Sequence, residues 1–204
     1  MSSNIAVIDY GMGNLKSVSN ALDCIGCQHV TISGPSDVSR FDKVIIPGVG
    51  AFSEAIDNLR RSGMFEALTA HVADGKFLLG ICLGMQLLCK ESMENGHYQG
   101  FGWIDARVVR FPESNGLKVP HMGWNALDLV GTDSLLENIH TGADVYFVHS
   151  YYVDCLNDDD VLARTDYGSH FPSIVARGHV FGMQFHPEKS QQVGITLIKN
   201  FVMK

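Results

Sequence analysis

A cysteine between two glycines is the residue of this sequence best placed to do chemistry. Cys82 lies in the segment Gly80-Ile81-Cys82-Leu83-Gly84, which follows one short apolar run and precedes another. This spacing is typical of a nucleophile elbow, a tight strand-to-helix turn in which glycines are needed because the neighbouring backbone leaves no room for side chains. The helix N-terminus that follows favours a thiolate, which is the form that attacks. We therefore predict that Cys82 is a nucleophile and that the N–H of Leu83 faces the developing oxyanion.

A base and an orienting carboxylate for this thiol occur in the segment Phe185-His186-Pro187-Glu188. Proline restricts the residue before it to extended conformations, and residues two apart in an extended chain lie on the same side. Glu188 can therefore reach the imidazole of His186, fix its tautomer and stabilise its charged form. The segment follows an expected strand, as Cys82 does, and sites in open α/β sheets lie beyond the carboxyl ends of strands. The sequence predicts a Cys82–His186–Glu188 triad.

The segment Pro47-Gly48-Val49-Gly50 follows a third expected strand. Its glycines can turn backbone N–H groups toward the site, so we interpret it as the second half of an oxyanion hole. The simpler interpretation, an ordinary strand-to-helix turn, remains open on this segment alone.

The elements that would position these groups alternate between strand and helix in the first 90 residues. Continuous apolar strands with helical crossovers indicate a parallel sheet covered on both faces. The second half is richer in strands, which Gly, Asn and Asp turns separate. We expect early strands at 4–9, 29–33, 43–46 and 77–81, helices at 15–25, 52–61, 64–73 and 83–90, later strands at 107–110, 124–129, 145–149, 161–163, 174–177 and 180–185, and a last helix at 193–203. This predicts a three-layer α/β fold in which a mostly parallel central sheet carries the elbow and additional antiparallel strands follow in the second half.

Composition narrows the function classes. The chain has 204 residues, 46% of them hydrophobic, and a net charge of −7, which is unlike the basic surface of a general nucleic-acid binder. Its longest apolar stretch, 77–89, contains a glutamine and is shorter than a membrane span. No secretory signal is visible at the N-terminus, so we expect the protein to be in the cytoplasm. The length predicts a single domain over residues 1–204. From the charge and the short apolar stretch we expect no nucleic-acid or membrane partner.

Cofactor and metal sites are poorly supported by the sequence. The turn Gly11-Met12-Gly13 suggests a dinucleotide fingerprint, but Lys16 stands where its third glycine would be. The pair Cys24 and Cys27 has no second pair at a suitable spacing, and structural zinc requires four ligands. We expect neither a cofactor nor a metal.

Six segments together give the chain a recognisable resemblance. They run in order along the whole chain: GMGNL (11–15), PGVGAF (47–52), GICLGMQLL (80–88), PHMGWN (120–125), YFVHSY (146–151) and GMQFHPEKS (182–190). The chain resembles the class I (triad) glutamine amidotransferases. More narrowly, PGVG and HMGWN resemble the glutaminase subunits of imidazole glycerol phosphate synthase.

The resemblance implies that Cys82, His186 and Glu188 hydrolyse L-glutamine to glutamate and ammonia through a thioester. It implies that backbone groups of Val49, Gly50 and Leu83 stabilise the oxyanion. Gly50, Gln86, Ser150 and Tyr151 are the implied contacts to glutamine.

The resemblance also implies a partner, because no synthetase segment remains in the chain to use the ammonia. In the family this partner is a (β/α)8-barrel cyclase, with which the glutaminase forms a heterodimer for histidine biosynthesis. Asn14, Trp124, Tyr146 and Lys189 match positions that face it. Two alternatives remain at this stage: a paralogous glutaminase that supplies ammonia for amination of a surface-polysaccharide sugar, and a standalone cysteine hydrolase.

Overall fold

A nine-stranded sheet crosses the middle of the molecule, with a four-stranded sheet beside it, in the computed structural model, which describes residues 4–112 and 117–204. The strands are β1 (Ile5–Ile8), β2 (His29–Ile32), β3 (Lys43–Gly48), β4 (Phe77–Cys82), β5 (Cys89–Ser92), β6 (Tyr98–Gln99), β7 (Ile104–Arg110), β8 (His121–Leu129), β9 (Ala143–His149), β10 (Tyr151–Cys155), β11 (Val161–Asp166), β12 (His170–Arg177) and β13 (Val180–Met183). The α-helices are α1 (Leu15–Cys24), α2 (Phe52–Ser62), α3 (Met64–Ala73), α4 (Leu83–Leu87) and α5 (Gln191–Met203).

The large sheet has a parallel half and an antiparallel half. Its strand order is β2-β1-β3-β4-β13-β12-β11-β8-β9. The five strands from β2 to β13 are parallel to one another, and each later neighbour is antiparallel to the one before it. The smaller sheet has the order β10-β7-β5-β6. The predicted parallel sheet with antiparallel strands in the second half is confirmed.

Apolar side chains fill both faces of the parallel half. Ile5 and Val7 of β1 belong to one buried cluster, which also holds residues of α1 and α5. Ala6 and Ile8 point to the other face, into a second cluster with α2, α3 and the small sheet. A strand buried on both faces must be apolar throughout, which explains the unbroken apolar runs of the sequence. The expected three layers are therefore present.

Local signals set the helix ends close to where the sequence places them. The side chain of Asn14 accepts a hydrogen bond from the N–H of Ser17 and caps the N-terminus of α1. Gly63 adopts the left-handed conformation between α2 and α3, where a glycine is favoured. The bounds of these helices therefore agree with the prediction to within one or two residues.

The predicted helix over 83–90 was wrong beyond Leu87. Residues Cys89–Ser92 form β5, which pairs with β6 and β7. A segment farther along the chain explains the difference. The N–H groups of Phe101 and Trp103 donate hydrogen bonds to the carbonyls of Leu87 and Leu88. Tertiary hydrogen bonds thus override the helical pattern. The short strands β5, β6 and β10 were missing from the prediction.

None of the helices within 4–112 and 117–204 is long and apolar enough to cross a membrane.

Candidate active site

The end of β4 places Cys82 on a strained turn. Cys82 has φ 55° and ψ −109°, in a region that non-glycine residues rarely adopt, and α4 begins at the next residue. A side chain on Gly84 would overlap the carbonyl oxygen of Ile46, and one on Gly80 would overlap the carbonyl of Gly84. Both glycines are therefore required by close backbone packing, as expected for a nucleophile elbow.

His186 and Glu188 form a buried hydrogen-bonded pair. Nδ1 of His186 lies 2.8 Å from Oε1 of Glu188, and both side chains are at most 3% exposed. His186 is extended, with φ −95° and ψ 95°, and the turn Pro187–Lys189 follows it. Because a carboxylate only accepts, Nδ1 carries the proton and Nε2 is left to exchange protons with a reactant. Nε2 is buried without a hydrogen-bond partner among the residues that the structure describes.

The surroundings of His186 favour its protonated form. Burial lowers the pKa of His186, but the nearby Cys82 sulfur and the Glu188 carboxylate outweigh burial and raise the pKa to about 10. An imidazolium beside a thiol favours the thiolate by charge attraction. The arrangement therefore suits an attacking sulfur with a proton held ready for a leaving group.

Cys82 and His186 meet in a cavity of about 390 Å³. Val49, Gly50 and Leu83 line it, as expected for the oxyanion hole. Its other walls include the expected substrate contacts Gln86, Ser150 and Tyr151, together with Glu94, Pro120, Val148 and His149. The structure thus brings together all the residues for which a role in catalysis or glutamine binding was predicted.

Tyr10 supports the Pro47–Gly50 segment and was missed from the sequence. Its hydroxyl donates to the carbonyl of Pro47 at 2.9 Å, in the interior of the protein. A side chain on Gly48 would come within 2.7 Å of this hydroxyl and 2.8 Å of Leu83 Cβ. Gly48 is therefore held between Tyr10 and the elbow, so Tyr10 helps set the spacing of the two segments that are predicted to form the oxyanion hole.

Glu94 was also missed, because it lies outside every motif of the sequence. Its Oε2 accepts a hydrogen bond of 2.7 Å from the N–H of Phe52, the first residue of α2. A carboxylate at a helix N-terminus is favoured by the unpaired N–H groups there. Glu94 thereby ties the segment after β5 to the loop that carries Val49 and Gly50, and it brings a negative charge to the cavity wall.

Gln184 connects the cavity wall to the nucleophile. Nε2 of Gln86 donates to Oε1 of Gln184 at 3.3 Å, and Nε2 of Gln184 lies 4.0 Å from Sγ of Cys82. Gln184 is fully buried. The contact between Gln184 and Cys82 depends on the pairing of β13 with the neighbouring strand β4. The pattern of apolar and polar residues along β13 therefore could not predict it.

The residues expected to face a partner are on the surface next to this site. Trp124 is 48% exposed, and its ring contacts Tyr146 at 5.9 Å between centroids. Tyr146 accepts a hydrogen bond from the N–H of His186 and so adjoins the turn that ends at Lys189, which is exposed. Asn14 is exposed at the start of α1, and α1 packs against the same turn.

Comparison with known families bears on this geometry. The sequence profile of the family described as "Glutamine amidotransferase class-I" matches residues 6–204. The chain belongs to the class I glutamine amidotransferases. The amidotransferase is also 49% identical over 201 residues to a protein of Bacillus velezensis named "Imidazole glycerol phosphate synthase subunit HisH", covering 97% of this chain and 94% of that one. A protein of the same name from Archaeoglobus fulgidus is 48% identical, with 97% of each chain covered.

Solved structures agree with the fold of the amidotransferase. One described as a glutamine amidotransferase superposes with a TM-score of 0.78 at 21% identity, covering 98% of each chain. The PurLQS structure from Thermotoga maritima gives a TM-score of 0.77 at 18% identity and covers 100% of this chain and 99% of that one. At these identities the likeness concerns the fold alone.

Proposed function

We propose that this chain is the glutaminase subunit of an imidazole glycerol phosphate synthase and acts in histidine biosynthesis. The observation that carries the proposal is that Cys82 and His186 line one cavity and that His186 is hydrogen-bonded to the buried Glu188. The relatives described above are named as subunits of that synthase and match nearly the whole chain. The chain is proposed to work as a single amidotransferase domain over residues 1–204, in the cytoplasm.

The reaction follows from the geometry of the triad. The sulfur of Cys82 attacks the side-chain carboxamide carbon of glutamine, and the oxyanion that forms is stabilised by backbone N–H groups. His186 gives its proton to the amide nitrogen, the C–N bond breaks, and ammonia leaves from a glutamyl thioester. Water then attacks the thioester carbon, His186 accepts a proton from this water, and glutamate leaves as the C–S bond breaks. Glu188 holds the imidazole in the required tautomer throughout.

The cavity wall matches the other groups of glutamine. Leu83 on one side, and Val49 and Gly50 on the other, offer backbone N–H groups to the oxyanion. Glu94 supplies a negative charge for the α-ammonium group of the substrate. The remaining polar wall, formed by Gln86, Ser150 and Tyr151, can hydrogen-bond the carboxylate and the carboxamide.

We propose that the ammonia is used by a second subunit, a (β/α)8-barrel cyclase that forms a heterodimer with this chain. Trp124, Tyr146 and Lys189 lie on the surface beside His186, and Asn14 lies on the adjoining helix, so a partner seated there would cover the site. The two alternatives, a glutaminase for sugar amination and a standalone cysteine hydrolase, are not favoured, because the relatives that match nearly the full chain bear the synthase subunit name.

Replacement of Cys82 by serine tests the proposal. In complex with the cyclase subunit from the same organism, Cys82→Ser should lower glutamine-dependent synthesis by about a thousandfold or more, since a hydroxyl beside His186 is a far weaker nucleophile than a thiolate. Synthesis from added ammonium should stay within about twofold of the unmodified complex, because the cyclase forms the product. Both rates are measured by absorbance of the nucleotide product.

The exposed Cys24 provides the control. Cys24→Ser should leave both rates unchanged. Equal loss of glutamine-dependent and ammonia-dependent synthesis in Cys82→Ser would contradict the proposed division of labour, as would a residual glutaminase rate close to that of the unmodified chain.

A further inference from the structure

Two buried histidines that the triad does not use face each other across β8 and β9. His121 and His149 are register partners in this antiparallel pair, and Nδ1 of His121 lies 3.1 Å from Nε2 of His149. Their side chains are enclosed by aromatic rings, among them Phe111, Phe147 and Phe171. A buried polar pair of this kind must satisfy its hydrogen bonds internally.

The partners of the two rings fix the direction of every hydrogen bond. Nδ1 of His149 lies 2.8 Å from the carbonyl oxygen of Tyr151, which can only accept, so Nδ1 carries a proton. Nε2 of His149 then accepts from Nδ1 of His121. Burial lowers the pKa of His149 to about 3 and that of His121 to about 4, so both rings are neutral and this single tautomer pattern holds.

Asn125 ends the chain of hydrogen bonds on the outer side. Its Nδ2 donates to Nε2 of His121 at 3.2 Å and to the carbonyl of Asp166 at 2.9 Å. Its Oδ1 accepts from the N–H of Ala126 at 2.8 Å. With this orientation each polar atom of Asn125, His121 and His149 has a suitable partner, which makes the arrangement of the three side chains unique.

The inner end of this series of hydrogen bonds lies at the wall of the cavity. The carbonyl of Tyr151 accepts a second hydrogen bond, of 2.9 Å, from Nε2 of Gln86. Gln86 in turn donates to Gln184, whose amide lies against the sulfur of Cys82. A series of polar contacts, joined through the backbone carbonyl of Tyr151, therefore runs from β8 to the nucleophile, and it passes along the cavity wall at His149, Tyr151 and Gln86.

We infer that His121 and His149 are positioning residues for the substrate: together with Asn125 they fix the carbonyl of Tyr151, and through it the carboxamide of Gln86, in the orientation that binds glutamine. This inference rests on the proposed function. Neither histidine takes part in the chemistry of the thiol, so their loss should weaken glutamine binding more than it slows the reaction of bound glutamine.

The test measures KM and kcat for glutamine separately, in the complex with the loaded cyclase subunit. His149→Leu removes the donor to Tyr151 and should raise the KM about tenfold, with kcat within about threefold, since one hydrogen bond that orients two binding groups is lost. His149→Asn retains an N–H near the place of Nδ1 and should recover most of the affinity. If His149→Leu does not fold, His121→Leu breaks the series one step farther from the cavity and should raise the KM in the same direction.

His71 is the matched control, because it is also a buried neutral histidine that hydrogen-bonds a carbonyl, that of Phe77, but lies outside the cavity. His71→Leu should lose stability and keep the KM for glutamine. The rate at which iodoacetamide alkylates Cys82, read by mass spectrometry, should be equal in His149→Leu and the unmodified chain, because iodoacetamide does not need the glutamine contacts.

Three results would overturn the inference: a fall in kcat at unchanged KM, an equal rise in KM for His71→Leu, or slower alkylation of Cys82 in His149→Leu. Glutamate release by the unmodified complex distinguishes failure of the inference from failure of the proposed function. If it releases no glutamate from glutamine, the proposed function fails; if it does so and His149→Leu matches its KM, the inference alone fails.

Discussion

Around Cys82 the backbone itself leaves no room for side chains, whereas on the other side of the cavity β8 and β9 shape the site through hydrogen bonds between side chains. In the parallel half, Gly48, Gly80 and Gly84 allow β3, β4 and α4 to approach within contact distance. In the antiparallel half, His121 and His149 occupy the same kind of interior position with polar rings. The first arrangement fixes the reacting atom, and the second leaves a wall that can be adjusted by changing side chains.

The buried histidines of the two regions differ in the same way. His186 has a carboxylate and a sulfur beside it, and they raise its pKa to about 10 despite burial. His149 faces a carbonyl and a second imidazole, so burial dominates and lowers its pKa to about 3. One buried histidine is therefore a proton carrier and the other a fixed neutral donor, and the neighbouring groups contribute to this difference.

The largest expected effect on stability comes from adding a single methyl group at position 84 of the elbow. Gly84→Ala would place Cβ on the carbonyl oxygen of Ile46. Because a backbone carbonyl in a paired strand cannot move aside, we expect the free energy of unfolding to fall by about 3 kcal/mol or more. Urea unfolding followed by circular dichroism measures this change.

Gly142 in the antiparallel half is the matched control for this substitution. It has φ +89°, and a Cβ there would meet no atom within 4 Å. Gly142→Ala should therefore lose only about 1 kcal/mol, the strain of a left-handed alanine. Equal losses at the two positions would mean that the neighbouring backbone yields to the added methyl group, so that close approach of β3 does not explain the need for glycine at the elbow.

The contrast also explains which parts of the molecule the sequence reveals. Close backbone packing demands glycine at fixed spacing, so the elbow around Cys82 was readable as a local motif and its position is confirmed. The pair of His186 and Glu188 was readable for the same reason, since proline dictates the local backbone. Strands β1, β3 and β4 follow from apolar runs that only a doubly buried strand requires.

The features that were missed depend on long-range pairing. β5 and its neighbours arise because the segment after β6 takes the carbonyls at the end of α4. Tyr10, Glu94 and Gln184 act through contacts with residues 37, 42 and 102 positions away, respectively. Residue type at one position carries no record of such partners, so neither periodicity nor motif spacing could have found them.

A second, smaller effect is expected in the dependence of stability on pH, with opposite signs in the two regions. The folded-state pKa of His149 lies below the usual value, so the unfolded chain binds more protons and stability is lost as pH falls from about 6.5 toward about 3. The folded-state pKa of His186 lies above the usual value, so its contribution is complete below about pH 6.5 and is lost as pH rises toward about 10. Each slope is at most about 1.4 kcal/mol per pH unit for one histidine.

Urea unfolding midpoints measured from pH 4 to pH 10 separate the two contributions. His149→Asn should flatten the acid side of the profile and leave the alkaline side unchanged, while His186→Gln should do the reverse. The difference between variant and unmodified chain is the relevant quantity, because His71 and His121, whose pKa values burial also lowers, add to the acid side in both. An acid slope as steep in His149→Asn as in the unmodified chain would show that His149 is not held neutral by the fold.

The smallest expected effect compares two tyrosine hydroxyls, one in each region. Tyr10 donates to the carbonyl of Pro47 in the interior, and Tyr167 donates to the carbonyl of Lys118 at the surface, at 2.7 Å. Burial holds the pKa of Tyr10 well above its usual value, so its hydroxyl stays protonated. Tyr10→Phe leaves a buried carbonyl unpaired and should lower the free energy of unfolding by about 1–2 kcal/mol, whereas water can replace the hydroxyl in Tyr167→Phe, for which we expect about 0.5 kcal/mol or less.

The kinetic consequence should differ as well. Because the Pro47 carbonyl anchors the loop that carries Val49 and Gly50, Tyr10→Phe should lower kcat for glutamine several-fold at unchanged KM, through a less well placed oxyanion hole. Tyr167→Phe retains the ring that stacks on His121 and should change neither constant. A rise in KM without loss of kcat in Tyr10→Phe would contradict this assignment, because it would mean that the loop binds glutamine rather than its transition state.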